Sequence, residues 1–130
     1  MVETSLAGVS KPSLWAGRIL SALAVLLFLF TASFTLLKPA MARQGFIHYG
    51  YPGGALVPIT IAEIACAILY AMPPTSVLGA ILMTGYLGGA TATHVRVGEP
   101  FYLPIAVGAA LWLGLFLREP RLRALVPLRR

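Results

Sequence analysis

Glu63 and His94 are the residues of this 130-residue chain whose types and setting suit them to chemistry. Glu63 precedes a run of 32 residues, 64–95, without Asp, Glu, Lys or Arg, and His94 lies near the end of that run. A positioned carboxyl or imidazole can give and take protons. In hydrocarbon an ionised side chain costs ~2.5–3.5 kcal/mol or more unless partnered, so it is a functional hypothesis by default. Arg18 and, at the margin, Arg96 fall under the same rule. Arg18 has a plain alternative, since a long side chain one turn inside a helix end can snorkel to the headgroups.

The remaining inventory excludes most other chemistry. Cys66 is the single cysteine, so there is no intramolecular disulfide and no thiol pair. The two histidines, His48 and His94, could ligate one haem only if a loop folded down to the level of a helix. Convergence of Glu63, His94, His48 and Cys66 on a metal is disfavoured by their helix positions, so no metal site is expected. The chain has no Asp and no Asn, which leaves a nucleophilic triad unsupported. Gly88-Gly89 lies mid-helix rather than between a strand and a helix, so it is no phosphate loop. No catalytic residue is assigned, and no intrinsic cofactor is expected.

The elements that must position these groups follow from composition. Hydrophobic residues make up 58% of the chain and charged residues 11%, against an ordinary ~25% charged. Too little polar surface is available to cover a water-soluble monomer. Uncharged runs at 19–37, 64–95 and 100–117 match the roughly 20 residues that cross an apolar bilayer core. These runs predict an all-α integral membrane protein: a single domain, 1–130, with transmembrane helices over about 15–37, 55–72, 76–97 and 101–118. Connections as short as Pro73-Pro74-Thr75 and Gly98-Glu99-Pro100 predict an antiparallel, up-and-down four-helix bundle. Ala40-Met41-Ala42 resembles a signal cleavage site, but the apolar run before it exceeds the ~7–15 residues of a signal core, so a retained helix is expected.

With four spans both termini share a side. That side holds Lys11, Arg18, Arg118, Arg121, Arg123, Arg129 and Arg130, against Lys38, Arg43 and Arg96 opposite, which predicts cytoplasmic termini. The net charge of +6 does not signal nucleic acid, because the basic residues cluster at helix ends rather than interleaving with stacking aromatics. The basic segment 121–130 is expected to lie against anionic lipid.

In this arrangement Glu63 lies ~9–12 Å below the outer end of its helix, on a polar stripe with Thr60, Cys66 and Tyr70. His94 falls in the same outer half, about 5 Å away along the axis. Lys38 closes the outer end of the first helix, and the loop 46–54 supplies Tyr49 and Tyr51. The expected site is an outward-facing polar pocket of Glu63, His94 and Lys38, roofed by Tyr49 and Tyr51. Two plainer readings stand beside it: one interhelical bond for Glu63, and a capping or headgroup contact for His94.

Helix association in lipid rests on close backbone approach and interhelical hydrogen bonds. Gly85 and Gly89, with Gly79 and Gly88 beside them, predict that the third helix is the packing centre, against Ala106, Ala110 and Gly114 of the fourth and Ala67 and Ala71 of the second. A Gly85→Leu change is then expected to wedge helices apart. The same motif can instead join two copies of the chain.

The segment Leu78-Gly79-Ala80-Ile81-Leu82-Met83-Thr84-Gly85-Tyr86-Leu87-Gly88-Gly89-Ala90-Thr91-Ala92-Thr93-His94-Val95-Arg96 is the most specific stretch of a longer pattern. With Gly50-Tyr51-Pro52, Glu63, Pro73-Pro74-Thr75 and Lys38 at the end of the first helix, it resembles the DoxX-like family of small bacterial membrane proteins. The resemblance implies a four-helix protein of the bacterial inner membrane. It also implies an association with quinone-reducing or terminal-oxidase complexes.

Two classes of function are consistent with these readings. One is an accessory subunit without its own redox centre, which offers Glu63 and His94 to protons or a quinone beside an electron-carrying partner. The other is a non-enzymatic assembly factor or a homo-oligomeric small-solute module. Polarity confined mostly to the outer half of the helices disfavours an open channel.

Overall fold

A computed structural model describes residues 9–125, and every described element is helical. The first helix, α1 (Lys11–Leu37), starts four residues before the expected position. Ser10 caps it by accepting from the Ser13 N–H at 3.4 Å, and Pro12 lies in the first turn, where its missing N–H costs nothing. The helix stops at Lys38, whose ψ of 63° is not helical, because Pro39 disfavours the α conformation in the residue before it.

Pro39 then opens a second helix within the stretch read as an irregular loop. This helix, α2 (Pro39–His48), carries no buried residue. Its Ala-Met-Ala-Arg-Gln run consists of good helix formers, and it is too short and polar to have stood out as a span.

A 3₁₀ turn (Gly53–Ala55) leads into α3 (Leu56–Ala71), and a second (Pro73–Thr75) into α4 (Ser76–Arg96). The chain finishes in α5 (Tyr102–Arg118) and a short α6 (Pro120–Arg123). Three helical stretches are long and apolar enough to cross a membrane: Lys11–Leu37, Gly53–Ala71 and Pro73–Arg96. The fourth apolar helix, α5, has 17 residues. Of the basic segment 121–130, residues 126–130 lie outside the described residues.

The four long helices form a ring in which α1 and α4 each contact both α3 and α5. Ala24 and Phe28 of α1, Ala67 and Tyr70 of α3, Ala80 and Met83 of α4, and Leu111 and Leu115 of α5 fill its centre. Leu23, Phe30, Ile61, Ile81 and Leu103 face outward from the same helices. An apolar exterior on every helix of the ring is the surface of a membrane protein, not of a soluble one.

The closest helix crossings are not those expected from the Gly85/Gly89 spacing. A Cβ at Gly17 would lie 2.7 Å from the Gly114 carbonyl oxygen, and one at Gly114 would lie 2.8 Å from Ser21 Oγ. At the α3–α4 crossing, a Cβ on Gly79 would lie 2.2 Å from the Tyr70 nitrogen. Gly85, Gly88 and Gly89 are exposed, with open space where a Cβ would stand. The inward face of α4 is taken by Ala80, Met83 and Leu87, at helical spacing, which keeps those three glycines out of the helix crossings, and Gly85 and Gly89 border a cavity beside Tyr86 and His94 instead. Ala110 is half-buried on α5, one turn from Gly114.

Candidate functional site

Two adjoining cavities of about 480 and 490 Å³ lie at the end of the ring next to α2. Thr31, Phe46, Tyr49 and Tyr86 line both. Glu63 and Thr60 line one, and His94, Thr93 and Tyr51 the other. Each is within the ~300–1,000 Å³ typical of small-molecule sites.

Glu63 is 5% exposed, and its partners are neutral. The Thr31 hydroxyl from α1 donates to its Oε1, and Tyr86 from α4 lines the same cavity. Thr60, one turn away, donates instead to the Leu56 carbonyl at 2.8 Å. Among the described residues, no Lys, Arg or His nitrogen forms an ion pair with Glu63. The carboxyl thus faces an apolar-walled cavity with neutral hydrogen-bonding groups around it.

His94 bonds its own helix, with Nδ1 2.7 Å from the Ala90 carbonyl oxygen. Because a carbonyl only accepts, Nδ1 carries the proton, and in the neutral ring Nε2 is left as an acceptor. The Tyr49 ring packs against the imidazole at 5.3 Å between centroids. Glu63 and His94 therefore sit in neighbouring cavities and share lining residues, without a direct bond between them.

The roof over the cavities is built by two helix ends. Gly50 (φ +82°) closes α2 with its N–H on Ile47 O, while the Tyr51 N–H bonds Phe46 O. Gly98 (φ +75°) closes α4 in the same way, with its N–H on Val95 O and the Glu99 N–H on His94 O. Both are left-handed glycine caps, a backbone conformation that favours Gly. They aim the residues that follow, Tyr51 and Glu99, at one another's helices.

The Tyr51 hydroxyl lies 2.6 Å from Thr93 Oγ1. Arg96 bonds the Tyr49 carbonyl through Nη2 and stands over the Tyr51 ring at 5.6 Å. Glu99 receives the Tyr49 hydroxyl on Oε2 at 2.9 Å and meets His48 Nε2 at 2.8 Å through Oε1. These contacts, His48 first, hold the Glu99 carboxyl below its ordinary range. The Tyr49 phenol is pushed up, mainly by burial and then by its bond to Glu99.

Of the residues expected in the site, Glu63, His94, Tyr49 and Tyr51 line the cavities, with the two tyrosines toward the roof. Lys38 is exposed at the α1–α2 joint and lines neither cavity. The joint, rather than the pocket, accounts for its position. Thr31, Phe46, Tyr86, Thr93 and Glu99 were not singled out by the sequence reading. A signal existed for α4, where Tyr86, Ala90, Thr93 and His94 recur at helical spacing. Phe46 required knowledge of α2, and Thr31 looked like any hydroxyl satisfied by its own helix. Among the described residues no three His, Cys, Asp or Glu side chains come together, so a ligand here would be held by hydrogen bonds and aromatic contact.

The model of the DoxX-like family matches residues 19–117. The chain belongs to the DoxX-like family. The match covers α2 through α4, most of α1 and nearly all of α5, and so includes every residue lining these two cavities of the DoxX-like protein. No curated protein and no solved structure matches the chain.

Proposed function

We propose that this DoxX-like protein is a non-catalytic accessory subunit of a quinone-linked or oxidase-type redox complex in the bacterial inner membrane. In this reading both termini are cytoplasmic, and the four long helices run up and down. Contacts in opposite chain order support that path: Ser21 meets Tyr70, while Thr31, further along α1, meets the earlier Glu63. The two cavities then open toward the outer face.

The observation that carries the proposal is a buried carboxyl with neutral partners, facing an aromatic-walled cavity beside an imidazole with one free nitrogen. A quinone head group would bring carbonyl oxygens that accept hydrogen bonds and take up protons when an electron-carrying partner reduces it. The Tyr86 hydroxyl is a donor for such an oxygen, and Phe46 and Tyr49 supply flat walls. Glu63 and His94 can exchange a proton with whatever lies in the cavities. Glu63→Gln tests the reading in native membranes. Quinone-linked activity is expected to fall while protein abundance holds. Loss of abundance alone would make Glu63 a structural residue.

The exposed Gly88 of α4, flanked by Gly85 and Gly89 at the open edge of the His94 cavity, favours a second reading, a non-enzymatic assembly factor or homo-oligomeric small-solute module whose copies meet there. Sustained, solute-selective flux in liposomes containing only this chain would support that reading.

A further inference from the structure

A third cavity of about 390 Å³ lies at the opposite end of the ring and takes no part in the proposed function. It is lined by Arg18 and Arg118 at its polar edge and by Ser21, Tyr70, Val25 and Leu26 along its walls. Arg118 is anchored: Nε donates to Ser21 Oγ at 2.9 Å, and the guanidinium stands over the Tyr70 ring at 5.4 Å. Tyr70 is fully buried, with its hydroxyl 2.6 Å from the Leu111 carbonyl oxygen, so the anchor itself is fixed. A guanidinium has five N–H donors, and this arrangement uses one. Arg18 packs over the Trp15 ring at 5.3 Å.

Two cations therefore line one crevice. The ion pair found among the described residues is His48–Glu99, at the other end of the molecule. The carboxylate next in sequence, Glu119, turns Oε1 to the Arg121 N–H at 3.2 Å, where it caps α6. Like charges in a common site repel unless an anion joins them. The wall away from the arginines is apolar and ends at Leu26, which is 60% exposed toward the lipid side. A ligand matching both features has an anionic head and a hydrocarbon tail.

We propose that this crevice is a binding site for one anionic phospholipid, whose phosphate is held between Arg18 and Arg118 and whose acyl chain lies along Val25 and Leu26. Arginine suits the task because its fork gives paired hydrogen bonds to phosphate oxygens, and basic pockets between membrane helices take anionic head groups. The site is separate from the Glu63 cavities, so either proposal can fail without the other.

The test is native mass spectrometry of the full chain in mild detergent, titrated in parallel with phosphatidylglycerol, phosphatidylcholine and inorganic phosphate. Retention of one phosphatidylglycerol, well above phosphatidylcholine, is expected. Arg18→Gln should weaken it roughly fivefold, and Arg18→Gln with Arg118→Gln about thirtyfold. Arg18 makes no hydrogen bond to another described side chain and rests only on the exposed Trp15 ring, so its single variant keeps the test valid if Arg118→Gln unfolds. Arg43→Gln removes the same charge elsewhere and should leave retention unchanged. Equal retention of the two lipids, an equal loss in Arg43→Gln, no loss in Arg18→Gln, or displacement of the lipid by inorganic phosphate would each overturn the proposal.

Discussion

Thr31 Oγ1 stands between two oxygens, Glu63 Oε1 from the neighbouring helix and the Phe28 carbonyl 3.0 Å away on its own helix. The hydroxyl can donate to Glu63 when the carboxyl is ionised. It can equally accept from a protonated Glu63 while donating to Phe28. One side chain thus satisfies the acid in either protonation state, which a group exchanging protons needs and a fixed ion pair would not provide. Thr31→Val removes this partner and keeps the shape, so stability in detergent should fall by about 1–3 kcal/mol, and Thr31→Ser should stay near wild type. Thermal unfolding followed by circular dichroism measures both.

Backbone crossings at Gly79 and Gly114, rather than Gly85, Gly88 and Gly89, should govern folding of the monomer. Replacement of Gly79 by Ala crowds the Tyr70 backbone nitrogen at 2.2 Å, and replacement of Gly114 crowds Ser21 Oγ at 2.8 Å and the Gly17 carbonyl oxygen at 3.0 Å, so each should cost about 1–3 kcal/mol. Gly85→Leu meets open space and should leave the monomer's melting temperature nearly unchanged. If Gly85→Leu instead unfolds the isolated chain, the assigned face of α4 is wrong. A loss confined to a dimer band would point to contact between copies.

The roof should loosen in acid. Glu99 has its carboxyl held below the ordinary value of 4.5 by His48 and Tyr49, so the unfolded chain binds a proton there more readily than the folded one. The contribution is present above the ordinary value and lost as pH falls through the lower folded value. Glu99 is partly exposed, so the effect is local and screened by salt. At neutral pH, Glu99→Gln should speed amide hydrogen exchange at residues 49–51. The wild-type rate, corrected for intrinsic pH dependence, should approach that of the variant at low pH.

Gly98 makes a separate prediction for the same roof. Its φ of +75° is strained for a residue with a Cβ, although no neighbour would block the atom. Gly98→Ala should therefore cost roughly 1–2 kcal/mol through backbone conformation alone. Exchange should rise at Glu99 and Tyr49 together, since Glu99 is placed by that turn. A rise at neither residue would show that the cap does not hold the clamp.

Charge-free runs made the long helices legible, because a bilayer imposes one length on every span, and the same runs exposed Glu63 and His94. The rotation of each helix was less accessible. Small residues recur on two faces of α4, and the buried one is selected by the fit of Met83 and Leu87 against neighbouring helices. Met83 and Leu87 gave no signal stronger than Gly85 and Gly89 did. Lys38 was drawn into the pocket because the helix end and the pocket mouth share a level. Pro39 starts a new helix there and leaves Lys38 at the joint. Thr31, the partner of Glu63, and Tyr86, which shares its cavity, come from helices that meet it only in three dimensions.

The most direct test of the proposed function is native mass spectrometry after mild detergent extraction from native membranes, with bound small molecules identified in the same sample. A quinone or a redox subunit should leave the membrane with the wild-type chain and be absent from a Glu63→Gln, His94→Ala double variant of equal abundance. Recovery of only lipid and further copies of the chain from the wild type would contradict quinone binding and leave Glu63 as an interhelical contact.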